Sequence, residues 1–278
     1  MPYGNGRSKD TRPPFICKNV AIITVLGRTR IIFWSILFGC ATIFAGCGDP
    51  VTAAPKKPLK SFPPLVAAAF LDQSQSMTEV ATPPLTPADL MAILTYIRAH
   101  GGDFGLGPIR RDSNLPLARM HADLPEPKPT APDESSIYVA AEEDVDYRKQ
   151  REAWEKNEAD RLRRADLSTA DFWKKATPIL AHKANATRTD LNGAIERARM
   201  FLNEPRIFGG VKPLRVAILK TDGVDTLKKT IVAKPLDADV IVIVVNDTPG
   251  VLPTLHPIAF EAFSAATMWL CAKAQGGR

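Results

Sequence analysis

Three apolar runs limit what this chain can fold into more than anything else in it: Leu65 to Leu71 (LVAAAFL), Leu214 to Leu219 (LRVAIL) and Val240 to Val245 (VIVIVV). A strand with one wet face alternates apolar and polar residues, whereas near-continuous apolar strands are buried on both faces, as in a parallel sheet covered by helices. Segments with helical spacing lie between these runs. Thr86, Pro87 and Asp89 form a helix start, followed by Leu90, Ile93, Leu94 and Ile97 on one face, and Gly101 and Gly102 stop it after about Arg98. A second amphipathic helix is marked by Leu191, Ala194, Ile195, Ala198, Phe201 and Leu202. A short helix is expected near Thr226 to Ala233, and a last one from Ile258 to Lys273. Asp103 to Ile109 and Leu117 to His121 flank a turn-like segment and read as a hairpin. The expected fold is α/β: a doubly wound, mostly parallel sheet with helices on both faces and one antiparallel edge strand.

The formal charge of +6 does not point to nucleic acid. Residues 1–46 hold Arg7, Lys9, Arg12, Lys18, Arg28 and Arg30 against the single Asp10, which leaves the remainder of the chain close to neutral. No later run interleaves cations with aromatics, so a phosphate-tracking surface has no support. Between Arg30 and Asp49 there is no charge, and the apolar segment there has the length of a secretory signal or a single membrane span. Basic residues before it place everything after Asp49 on the far side of the membrane. Phe44-Ala45-Gly46-Cys47 resembles a bacterial lipoprotein box, which implies lipidation at Cys47, with an uncleaved signal anchor as the alternative. Residues 1–46 are therefore a leader, 47–64 a Pro-rich tether and 65–278 the folded domain, facing the periplasm or the cell exterior of a bacterial envelope. Only Cys271 lies in that domain, so no internal disulfide is available to it.

From Leu124 to Asp166 the chain is Pro-rich and then dense in charge of both signs, with Asp144/Arg148, Glu152/Lys156 and Asp160/Arg164 spaced for helical pairing. Tyr147, Trp154 and Leu162 give only a sparse apolar stripe, so a solvated surface helix is expected. A second helical piece runs from Ala170 to Leu180 and ends near Pro178.

The candidate site follows from where the strands end. Asp72 closes the first apolar run, with Ser74 and Ser76 at alternate positions behind it; Thr189 precedes the Leu191 helix; Asp222 lies in Thr221-Asp222-Gly223 after the 214–219 run. Ligands of open α/β sheets sit beyond the carboxyl ends of the central strands, where these residues would converge. Each has an ordinary role as well, Asp and Ser in loops, Thr189 as a helix cap and Asp-Gly as a turn. In this order, FLDQSQSM, TRTDLNGAIERA and LKTDG resemble the von Willebrand factor type A domains, whose hallmark is a metal-ion-dependent adhesion site. The resemblance spans about Leu65 to Gln275, and the long charged 124–166 segment departs from it, as an insertion near the site. It implies that Asp72, Ser74, Ser76, Thr189 and Asp222 hold Mg²⁺, or Mn²⁺, and that a Glu or Asp of another protein completes the shell.

On that reading the protein is not an enzyme but a membrane-tethered binding module. G-x-S-x-G, H-E-x-x-H and Walker sequences are all absent, and His100, His121, His182 and His256 are scattered. The alternative is a metal-dependent phosphoester hydrolase on a related sheet, similar to the haloacid dehalogenases. Such an enzyme normally carries a second Asp two residues after the nucleophile, where this chain has Ser74, and Lys220 is the one cation near Asp222.

Overall fold

A computed structural model of the chain describes residues 62–79, 83–131, 140–227, 234–246, 252 and 255–276. The leader, Cys47, nearly all of the tether and residues 228–233 of the expected short helix lie outside the described residues. No helix among the described residues is long and apolar enough to cross a membrane.

The chain is α/β, with the order β1 (Leu65–Asp72), α1 (Ser76–Glu79), α2 (Pro87–His100), β2 (Gly102–Ile109), β3 (Ala118–Ala122), α3 (Ala140–Ala181), α4 (Leu191–Leu202), β4 (Leu214–Lys220), β5 (Val240–Val245), β6 (Ile258–Phe260) and α5 (Phe263–Ala274). These strands make one sheet in the order β3-β2-β1-β4-β5-β6. All neighbours are parallel except β2 and β3, the expected hairpin with its antiparallel edge strand. The register pairs Asp72 with Ile109 and Leu71 with Lys220, so the carboxyl ends of β1, β2 and β4 finish level.

Side chains alternate across a strand, and β1 divides accordingly. Leu65, Ala67, Ala69 and Leu71 join a core with residues of α2, α3 and α5, while Val66, Ala68 and Phe70 join a second core with α4. Helices on both faces explain why β1 tolerates no polar residue before its last. Phe70, Phe104, Phe172 and Phe201 are among the largest fully buried side chains, each contributing roughly 1.5–3 kcal/mol of burial energy.

Three expectations are corrected here. The last element is not wholly helical: Ile258–Phe260 forms β6, parallel to β5, before α5 begins at Phe263. The charged helix expected to end at Asp166 and the piece expected at 170–180 are one helix, α3, because nothing between Asp166 and Ala170 breaks a helix; Pro178 lies inside its last turn rather than ending it. Nor is α3 wholly a solvated helix. Ala165, Phe172 and Ala176 are buried, and Arg98 of α2 clasps Asp166 through two hydrogen bonds of 2.6 and 3.0 Å. Asp144 does pair with Arg148, but Asp160 pairs with Arg163, leaving Arg164 to reach Asp123. The helix also closes the sheet edge, since Ser168 Oγ accepts the backbone amide of His121 on β3 at 2.8 Å.

The junction of α2 and β2 needs glycine. Gly102 has φ of 142°, and a Cβ there would lie 2.0 Å from the Leu65 carbonyl oxygen, on the backbone of its own sheet neighbour. Gly102→Ala is expected to cost about 2–4 kcal/mol in a urea unfolding titration. A change below about 0.5 kcal/mol would show that the strand pair yields instead.

Candidate functional site

At the carboxyl end of β1 the Ser74 amide donates to Asp72 Oδ1 at 2.8 Å, which turns the chain out of the sheet. The Ser74 and Ser76 hydroxyls lie 2.9 Å apart, and Ser76 opens α1. This loop is joined to the one before α4: the Ala186 amide donates to the Gln73 carbonyl at 2.9 Å, and the Gln75 amide to the Ala186 carbonyl at 3.0 Å. Thr189 follows three residues later, 1% exposed.

Thr189 is not the helix cap. Asp190 is, accepting the Gly193 amide at 2.9 Å, so the helix start makes no demand on the Thr189 hydroxyl. The Asp190 amide in turn donates to the Arg110 carbonyl at 2.8 Å, tying the α4 entry to the loop after β2.

The third segment leaves β4 through Thr221, Asp222 and Gly223. Thr221 Oγ1 donates to Asp72 Oδ2 at 2.7 Å and accepts the Gly223 amide at 3.0 Å; Gly223 has φ of 79°, a value that suits glycine. Asp222 Oδ1 accepts the Val224 amide at 3.1 Å. Farther on, Asp225 Oδ2 accepts the amide and side-chain nitrogens of Asn192 at 2.9 and 2.7 Å. Thr226 Oγ1 accepts the Thr189 amide at 2.6 Å. The loops bearing Asp72, Thr189 and Asp222 are thus bonded to one another.

Burial pushes the Asp72 carboxyl above its ordinary value, and the negative charge of Asp222 pushes the same way, against the hydrogen bonds from Thr221 and Ser74. Two carboxylates are therefore held near each other, Asp72 and Asp222 each 7% exposed. Lys220 closes β4 and is buried. Burial pushes its pKa down, while Asp72 and Asp89 push it up. A cleft of about 530 Å³ opens beside Asp72, Gln73 and Lys220, walled by Met77, Leu85 and the end of α3. The Gln73 side chain donates to the Ile179 carbonyl at 2.7 Å, so the carboxyl end of α3, beyond the charged 124–166 segment, borders the site.

The five oxygen-bearing residues read from sequence come to one end of the sheet. No group of three or more His, Cys, Asp or Glu suited to a metal occurs among the described residues, so a cation here would depend on hydroxyls beside the two carboxylates. Thr221, Asn192, Asp225 and Thr226, which brace the site, escaped the sequence reading. The Thr221-Asp222-Gly223 turn offered a signal for the first, but nothing local pairs Asn192 with Asp225.

The fold and this end of the sheet define the class: a doubly wound α/β protein with a polar, carboxylate-bearing cluster beyond its central strands. No family model matches the chain, and no curated protein matches it in sequence. Among solved structures, the chain is similar to proximal thread matrix protein 1 from the mussel byssus, at 12% identity over 76% of this chain and 47% of that one, with a TM-score of 0.33. The pilus adhesin SpaC from Lactobacillus rhamnosus GG is similar at 11% identity over 78% of this chain and 30% of its own, TM-score 0.37. The conserved hypothetical protein BatB from Bacteroides thetaiotaomicron is similar at 13% identity over 77% and 100%, TM-score 0.34. The chain spans less than half the length of the first two. Likeness of this degree carries no activity from one protein to another.

Proposed function

We propose that this protein is a binding module of the von Willebrand factor type A kind, held at a bacterial envelope membrane by its leader, that grips an acidic group of a partner protein through Mg²⁺ or Mn²⁺. The observation that carries the reading is the bonded convergence of the Asp72, Thr189 and Asp222 loops at one end of the sheet. The donor set fits a small hard dication: two carboxylates match its charge, and the hydroxyls of Ser74, Ser76 and Thr189 add neutral oxygens. Asp72 suits the role in a second way. Its carboxylate oxygens accept from the Ser74 amide and the Thr221 hydroxyl, which fixes its orientation toward the loops. Bound there, the cation would supply a Lewis-acidic position for an outside carboxylate. The extracytoplasmic placement rests on the uncharged 31–48 segment and Cys47.

The test is capture of partners from detergent-solubilised envelope by the purified full chain. Binding should be lost in EDTA, return with Mg²⁺ or Mn²⁺ better than with Ca²⁺, and weaken in Thr189→Ala, whose circular dichroism should stay that of the parent. Capture that survives EDTA and ignores Thr189 would sink the reading.

A further inference from the structure

Most arginines of the described residues are in ion pairs with carboxylates: Arg119 and Arg206 with Asp103, Arg161 with Glu158, Arg215 with Asp239, Arg199 of α4 with Glu196, and those of α2 and α3 likewise. The exceptions group together. Arg110 and Arg111 follow the end of β2, Arg188 precedes Thr189, and Arg197 lies on α4 beside the same loops, hydrogen-bonded to Asn114. Arg110 is half-buried and donates to the Gln73 side chain at 2.5 Å, so it is seated against the residue next to Asp72. Arg111 and Arg188 are exposed, and so is Lys183, which lines the cleft with Asp72. The nearest exposed acid in sequence, Asp112, accepts the Asn114 amide and makes no ion pair. This end of the sheet thus gathers the arginines that the fold leaves without an ion pair, although it pairs the described arginines elsewhere.

We propose that Arg110, Arg111, Lys183 and Arg188 form a docking rim for an acidic peptide segment of the partner protein, several Glu or Asp residues long, rather than for a lone carboxylate. The inference rests on the metal-dependent reading above and extends it: one acid of the segment meets the cation, and its neighbours meet the rim. Charge complementarity argues for it, since an isolated acid would need no cations around the central position, and unpaired exposed cations gain most from an oppositely charged partner. Such a rim acts chiefly on encounter and is weakened by salt.

The experiment follows binding of a fluorescein-labelled polyglutamate peptide to the full chain by fluorescence anisotropy, with Mg²⁺ or with EDTA, at low and at physiological salt. Arg111→Ser/Lys183→Ser/Arg188→Ser is expected to bind about tenfold more weakly than the parent at low salt. Lys156→Ser/Lys174→Ser/Lys273→Ser, which removes the same charge from exposed positions elsewhere, should stay within about twofold. Equal weakening by the two triple variants would overturn the rim, leaving only a response to net charge. Loss of binding in EDTA with no response to the rim variant would overturn the rim and leave the metal reading standing. The converse, a full rim effect that ignores EDTA, would sink the metal reading while the rim holds. Polyuridylate that binds more tightly than polyglutamate would overturn the acidic-peptide assignment in favour of nucleic acid.

Discussion

Phe172→Ala is expected to lower the unfolding free energy by about 3–5 kcal/mol, measured by urea titration of the full chain followed by circular dichroism. The ring is fully buried, its centroid 5.6 Å from that of Phe104 on β2 and 5.1 Å from that of Trp173. Its loss removes burial energy and leaves a hole in a close-packed core whose other buried α3 members, Ala165 and Ala176, are small. Leu167→Ala, at a position of the same helix that is 63% exposed, should change stability by less than about 0.5 kcal/mol. The contrast distinguishes a helix that helps to hold the sheet from a charged appendage laid over it. If both substitutions were nearly neutral, the carboxyl half of α3 would be dispensable for the fold.

Asp72→Asn should abolish Mg²⁺ binding in isothermal titration calorimetry while leaving the metal-free chain at least as stable as the parent near pH 7. Asparagine is nearly isosteric: its oxygen can still accept the Ser74 amide, and the Thr221 hydroxyl can rotate to accept from its nitrogen. The charge is what changes. Because burial raises the folded pKa of Asp72, any stability it lends is fully present below the ordinary carboxylate pKa of the unfolded chain. It is lost as pH rises through the raised folded value. The variant should therefore gain on the parent with rising pH across that window, and the two should melt alike in stronger acid. Retained Mg²⁺ binding would remove Asp72 from the ligand set. A collapse of the metal-free fold would mean that the carboxylate is structural.

How far the sequence could be read depended on whether the deciding contacts were local. β1 and β5 were legible because continuous apolar runs bounded by polar residues have few other solutions. The α2 start was legible because Thr86 and Asp89 carry its cap within one turn, the Thr86 amide donating to Asp89 Oδ2 at 2.8 Å. β6 was not, since Ile258–Phe260 is three residues long and owes its strand state to pairing with β5. The burial of Arg161 was equally hidden: its partners include the Arg98 and Asp123 carbonyls, distant in sequence. At the site, residue types and order pointed to the carboxyl end of the sheet. Which residue caps α4 could not be read, because Thr189 and Asp190 are both good caps and only the backbone decides between them.

The seal that α3 places on β3 bears on where other chains can attach. An open sheet ordinarily offers its outer strands as templates on which a foreign strand can grow, a hazard for a protein crowded beside others. Here one border has its His121 amide already taken by Ser168, and the opposite border, β6, is only three residues long. Among the described strands, one border thus has an amide already engaged by a helix and the other is short, which disfavours recognition by strand addition. Association through side chains and loops is favoured instead, where charge and shape can discriminate among partners and backbone hydrogen bonding alone cannot.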